Sequence, residues 1–175
     1  LGSGVKASIL STLTSKILST MMANSMSIED CVSTVAATLP VCEKRKVAYS
    51  TFTVIRVSDS SQAEIIQYDN PHVILLRNGK NYDYDKTIME IGGKTLYKSL
   101  IDLQLNDVLI SMSDGAIYAG VGKKLNFGWQ RDNIIKYIEQ LYEDTLSAKN
   151  ISTILLDECN RLYGGEPGDD TTFST

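Results

Sequence analysis

Leu103-Gln104-Leu105-Asn106-Asp107-Val108-Leu109-Ile110-Ser111-Met112-Ser113-Asp114-Gly115 runs from apolar residues into an acidic break. Its apolar residues predict a strand over residues 103–112, broken off by Ser113-Asp114-Gly115. A buried carboxylate beside a glycine at a strand end suits a hard cation, which takes oxygen ligands and keeps several waters. A second such element follows at Gly168-Asp169-Asp170-Thr171, in a turn before a last strand that starts in Thr171-Thr172-Phe173. Two acids drawn together from such distant positions would repel unless Mg²⁺ or Mn²⁺ lay between them. A metal-bound water then becomes a nucleophile near neutral pH. Taken singly, each motif is also an ordinary turn.

Between the two acidic motifs the chain reads as helix. Ile134, Ile135, Ile138, Leu141 and Tyr142 make one apolar face, and Ile151, Ile154, Leu155, Cys159 and Leu162 another. Gly164-Gly165 ends the second helix and Pro167 prevents its continuing. Upstream of residue 103 the chain is β-rich. Residues 50–57 alternate around Phe52, Val54 and Val57, and residues 63–68 and 73–76 are β-branched or aliphatic runs. Asn78-Gly79 predicts a tight hairpin, because both turn positions need positive φ. At the start, Ile9, Leu10, Leu13, Ile17, Leu18, Met21 and Met22 recur at helical spacing after Gly4. Ser27 then caps a second helix with an acid three residues on, its face formed by Val32, Val35, Ala36 and Leu39, and Pro40 stops it. Helix pairs around antiparallel strands predict a layered α/β sandwich of the α+β kind, not a doubly wound parallel sheet.

At 175 residues the chain reads as one domain with room for a sizeable core. A net charge of -4 and a pI near 5.0, without a dense basic run, argue against nucleic acid and against anionic membranes. No apolar run is long enough to span a bilayer, and a cytoplasmic setting is expected. Cys31, Cys42 and Cys159 are far apart, so they read as buried free thiols.

The single histidine, His72, follows Pro71 at the start of a strand and reads as structural. Without a nucleophile motif such as G-x-S-x-G, imidazole chemistry drops out and the carboxylates remain. Gly92-Gly93-Lys94-Thr95 has the look of a Walker A end, but Ile88 stands where the earlier glycine belongs. Gly2-Ser3-Gly4-Val5-Lys6-Ala7 matches G-x-G-x-x-A, yet the chain lacks alternating βαβ units. That glycine turn, through Gly2 and Gly4, still offers backbone N–H groups to an anion such as phosphate.

Three segments in this order resemble the phosphatase domain of the stage II sporulation protein E family, a bacterial branch of the metal-dependent PPM-type phosphatases. They are Gly2 to Ala7 with its long helix, Ser111 to Gly115, and Gly168 to Thr172. The stretch from Ala119-Gly120-Val121-Gly122 to Phe127-Gly128-Trp129 also resembles members from anaerobic bacteria. The resemblance spans essentially residues 1–175 and implies a four-layer αββα sandwich with a two-metal site at one end of the sheets. It implies hydrolysis of phosphoserine or phosphothreonine on a protein, with two Mn²⁺ or Mg²⁺ ions. Asp114 and Asp169 match the family's catalytic metal ligands, Asp170 would orient water or backbone behind them, and Thr171 would support the turn.

The resemblance also implies a phosphorylated regulatory protein as partner, of the anti-anti-sigma kind, and a homodimer stays open. The family's Asp-Gly, whose aspartate bridges both metals, would stand directly before Leu1. An N-terminal strand and the C-terminal end are thus expected to be missing, with a larger parent protein that another domain would anchor if it sits at a membrane. A phosphatase-fold module that has lost its metals and binds partners or a messenger is the alternative expectation.

Overall fold

The computed structural model describes residues 5–38, 51–142, 148–165 and 171–175. Gly2, Gly4, Leu39, Pro40, Cys42, Pro167, Gly168, Asp169 and Asp170 lie outside the described residues. The elements, in chain order, are α1 (Val5–Ala23), α2 (Ile28–Thr38), β1 (Phe52–Val57), β2 (Gln62–Tyr68), β3 (Ile74–Arg77), β4 (Lys80–Asn81), β5 (Thr87–Ile91) and β6 (Lys94–Asp102). They continue with β7 (Val108–Met112), α3 (Asp114–Ile117), α4 (Arg131–Leu141), α5 (Ala148–Tyr163) and β8 (Phe173–Ser174). The chain groups into two compact units, residues 1–69 with 85–102 and residues 70–84 with 103–175. Each holds one four-stranded antiparallel sheet and a pair of long helices, which is the make-up the α/β sandwich reading requires.

In the first unit the strands order as β1-β2-β6-β5. Phe52, Val54, Ile66 and Leu96 share one face, since Val54 stands opposite Ile66 and strand side chains alternate. That face buries Ile28, Cys31, Val32 and Val35 of α2 and Leu18 of α1. α2 begins where the sequence predicts: the Asp30 N–H donates to Ser27 Oγ at 3.0 Å, and the hydroxyl donates in turn to the Asp30 carboxylate at 2.7 Å. Such a cap stabilises a helix by about 1 kcal/mol.

Two lysines of β6 meet the two ends of α2. The Lys98 ammonium bonds the Glu29 carboxylate in the first turn, and the buried Lys94 ammonium donates to the Ala36 carbonyl in the last turn at 2.7 Å. Four strand residues span about 13 Å and seven helical residues about 10 Å, so the strand's spacing suits the helix. Each charge lies where it helps, the acid at the N-terminus and the cation at the C-terminus of the helix dipole. The Lys98 bond comes first among the causes that hold the Glu29 carboxyl below its ordinary value.

The structure differs from expectation at several points here. Ile9 and Leu13 are 53% and 49% exposed, because the packed stripe of α1 runs through Leu10, Ile17, Leu18, Met21 and Met22. Val57 is exposed as well, since alternation from Phe52 and Val54 turns Arg56 to the helix side, where it pairs with Glu64. The hairpin of β5 and β6 was not anticipated from the sequence. Gly92-Gly93-Lys94-Thr95 is its turn: Gly92 and Gly93 have φ of 57° and 73°, the pair of positive angles that a two-residue hairpin demands. Gly-Gly between alternating runs was the signal for it.

In the second unit the order is β4-β3-β7-β8. Asn78 and Gly79 take φ of 51° and 74° and close the β3–β4 hairpin as predicted. Ile74, Leu76, Ile110 and Met112 pack with Ile134, Ile138, Ile151, Leu155 and Cys159 of α4 and α5. Leu141, expected on the apolar face of α4, is 40% exposed. α5 ends in a glycine cap, with the Gly164 N–H on the Arg161 carbonyl at 3.1 Å and the Gly165 N–H on the Asn160 carbonyl at 2.9 Å.

The run at 103–112 is a strand only from Val108. Before it the chain turns, with the Asp107 N–H on the Gln104 carbonyl at 3.1 Å and Asn106 at φ 68°. Leu105, apolar by sequence, sits on that turn and is 91% exposed. The Asp107 carboxylate accepts the Gln104 N–H at 2.9 Å and binds Arg77 through both oxygens, at 3.0 Å to Nε and 2.7 Å to Nη2. The guanidinium also stacks over the Tyr82 ring, 4.3 Å from its centroid.

Candidate active site

β7 delivers the Ser-Asp-Gly segment. Ile110 and Met112 anchor the strand in the core, and Ser113 stays extended at φ −80° and ψ 166°. The chain then tightens into the single turn of α3: the Ala116 N–H donates to the Ser113 carbonyl at 3.1 Å and the Tyr118 N–H to that of Asp114 at 3.2 Å. Asp114 opens this turn and is half-buried.

Ser113 stands at the cap position of α3 without a side-chain cap bond. Its hydroxyl oxygen instead accepts the Thr172 N–H at 3.0 Å, while the Ser113 N–H donates to the Thr172 carbonyl at 3.1 Å. These bonds carry the β7–β8 ladder one residue past its Met112–Phe173 pair. The strand that follows the Gly-Asp-Asp segment therefore ends its pairing at the residue before Asp114. Among the predicted site residues, Asp114 and Thr171 are described, and Thr171 is half-buried next to that junction. A groove beside it is lined by Ser152, Thr153 and Leu156 of α5 and by Thr171, Thr172 and Phe173.

The other side of the turn is held by Tyr163, the last residue of α5. Its buried hydroxyl donates to the Gly115 carbonyl at 2.7 Å. The Lys123 ammonium bonds the Tyr163 carbonyl, so the loop after α3 is tied to the same helix end. Farther along this loop Gly128 has φ 82°, and a Cβ there would lie 2.4 Å from the Ile117 carbonyl oxygen and 2.8 Å from Tyr118 Cα. Backbone atoms cannot swing aside as a side chain would. Gly128→Ala is accordingly expected to lower stability by about 1–3 kcal/mol, read from urea unfolding, and an unchanged midpoint would show that the loop has slack.

The sequence marks Ser113 as part of the Ser-Asp-Gly motif but gives its hydroxyl no role, and it does not mark Tyr163. Nothing local marks Tyr163, since its partner lies 48 residues away in the chain.

Other reactive groups are accounted for. His72 is half-buried just before β3, and its carbonyl accepts Arg131 Nε at 3.0 Å. Burial pushes the Cys159 thiol up to about 12 and raises Cys31 too, so neither is a thiolate near neutral pH. Among the described residues no three or more His, Cys, Asp or Glu side chains cluster as a metal site, and no helix is long and apolar enough to cross a membrane. Asp114 supplies one hard oxygen donor at a strand end, and the ladder leads from it to the segment bearing two further carboxylates. That donor chemistry fits Mg²⁺ or Mn²⁺ and is poor for softer metals.

No curated protein matches the chain in sequence. Solved structures do match in fold. The PP2C phosphatase domain with a fragment of the regulatory domain of the cell-fate determinant SpoIIE from Bacillus subtilis aligns with TM-score 0.77 and 18% identity, over 99% of this chain and 50% of that one. The same protein's phosphatase domain in a crystal form without domain swapping gives 0.66 and 17%, over 97% and 73%. Its Mn-presoaked form gives 0.61 and 18%, over 91% and 70%. At this identity the likeness shows the fold, which is the PP2C sandwich. The family profile for stage II sporulation protein E (SpoIIE) matches residues 1–175. The chain belongs to the stage II sporulation protein E family and has the PP2C-type phosphatase-domain fold.

Proposed function

We propose that residues 1–175 are one catalytic domain of a metal-dependent protein phosphatase, hydrolysing phosphoserine or phosphothreonine on a regulatory protein. The observation that carries the reading is the Ser113–Thr172 pairing, which joins the Ser-Asp-Gly strand to the strand following Gly-Asp-Asp. Asp169 precedes Thr172 by three residues in the chain, so this pairing favours a shared site with Asp114. Asp114 and Asp169 would hold Mn²⁺ or Mg²⁺, Asp170 would orient water or backbone behind them, and Thr171 would support the turn. Bound there, the metal would supply Lewis acidity and a water nucleophile near neutral pH. Gly2 and Gly4 would offer N–H groups toward the phosphate.

A regulator of the anti-anti-sigma kind is the partner this reading favours, in the cytoplasm. The test is hydrolysis of p-nitrophenyl phosphate and of a phosphoserine peptide by the full-length protein. EDTA is expected to abolish turnover and Mn²⁺ to restore it. Turnover that persists without metal, or no turnover with Mn²⁺ or Mg²⁺, overturns the proposal.

A further inference from the structure

We infer that Ser113 and Tyr163 are positioning residues for Asp114, together holding the turn that aims its carboxylate; the inference rests on the phosphatase reading. Asp114 lies between two braces that belong to different elements. On its N-terminal side, Ser113 gives an N–H and takes an N–H from the same residue, Thr172 of the strand after the Gly-Asp-Asp segment. On its C-terminal side, the Tyr163 hydroxyl of α5 holds the Gly115 carbonyl at 2.7 Å. The residues on either side of Asp114 are thereby tied to β8 and to α5. α3 cannot do this alone, because four residues make barely one turn.

The chemistry of the site makes such a brace consequential. A hard cation needs its carboxylates at fixed spacing, and groups that orient a ligand are commonly worth about 10- to 100-fold in metal affinity. Ser113 is placed to do more than orient Asp114. Its hydroxyl adds a bond to Thr172 beyond the Ser111–Ser174 and Met112–Phe173 pairs, and so holds the strand after the Gly-Asp-Asp segment at the Asp114 turn. A cap role for the hydroxyl would give up its bond from the Thr172 N–H and keep the backbone bond to the Thr172 carbonyl; here the hydroxyl oxygen serves the strand, not the helix.

The experiment is Mn²⁺ binding by calorimetry, with metal half-activation of p-nitrophenyl phosphate hydrolysis alongside, on the full-length protein. Tyr163→Phe and Ser113→Ala are each expected to weaken Mn²⁺ binding about 10-fold. Tyr84→Phe is the control. Tyr84 also donates its hydroxyl to a backbone carbonyl, that of Val73 at 2.5 Å, but on the loop before β3. It is expected to lose comparable thermal stability and to keep wild-type Mn²⁺ affinity. Wild-type Mn²⁺ affinity in both Tyr163→Phe and Ser113→Ala overturns the inference, and so does an equal weakening in Tyr84→Phe, which would mean general softening. A wild-type protein that neither binds Mn²⁺ nor turns over substrate overturns the phosphatase reading, and the brace with it.

Discussion

Asp114→Asn and Asp169→Asn are each expected to lower Mn²⁺-stimulated hydrolysis of p-nitrophenyl phosphate by about 100- to 1000-fold, the size of losing several kcal/mol of metal-borne transition-state stabilisation. The exchange keeps the shape of the side chain and removes its charge. Asp114 is half-buried at the start of α3, and Asn tolerates that place, so thermal stability should change little. If two carboxylates repel across an empty site, the apo protein should even gain slightly from losing one. The double variant should be hardly worse than either single one, because residues that serve one centre are not additive. Near-wild-type activity in Asp114→Asn, or additive losses in the double variant, would remove these aspartates from a shared site.

Arg77→Met is expected to destabilise the protein at pH 7, because deleting one partner of a part-buried ion pair leaves the other charge uncompensated. The Asp107 side chain is 2% exposed and that of Arg77 14%. Deleting Arg77 leaves a part-buried carboxylate without its countercharge. The pH dependence gives the sign. In the wild type, burial pushes the Asp107 carboxyl up, but the Arg77 bond, the Gln104 N–H and the Arg77 charge outweigh it and hold it below its ordinary value. A group lowered on folding stabilises above its unfolded pKa, about 3.9, and loses that contribution as pH falls through the folded value.

Without Arg77 burial prevails and the carboxyl should titrate above its ordinary range, so Arg77→Met should become less stable as pH rises from about 4 toward neutral. The gap between variant and wild type should then be widest near pH 7 and narrow toward pH 4, as urea unfolding across that range would report. A gap independent of pH would show that the variant suffers from lost packing, including the stack on Tyr82, and not from a stranded charge. The pair also fixes the turn into β7, so the same variant tests whether the strand that ends at Asp114 depends on its far end.

Helices and their ends were legible in the chain because they rest on local chemistry. Ser27 and Asp30 are three residues apart, Gly164-Gly165 supplies the positive φ of a helix end, and Asn78-Gly79 does the same for a hairpin. The acidic motif of the β7 end was legible for a similar reason: apolar residues stop and a carboxylate with glycine begins. Order along the chain then allowed the family resemblance, which the match over residues 1–175 bears out.

Reading failed where one pattern serves two structures. Leu103 and Leu105 look like strand, but Asp107 folds them into a turn by reaching Arg77, 30 residues away. Gly92-Gly93-Lys94-Thr95, rightly rejected as a phosphate loop, was given no other role; pairing of β5 with β6 makes it a hairpin, and Lys94 finds the end of α2.

The opening stretch, read alone, determined that a strand ends in a carboxylate at Asp114, since hydrophobic run and breaker are both local signals. What holds that carboxylate is set by contacts distant in the chain. Thr172 and Tyr163 reach the turn from 59 and 48 residues away. A hydrogen bond depends on where two groups meet in space, and for partners so distant in the chain that place is set by the packing of whole strands and helices.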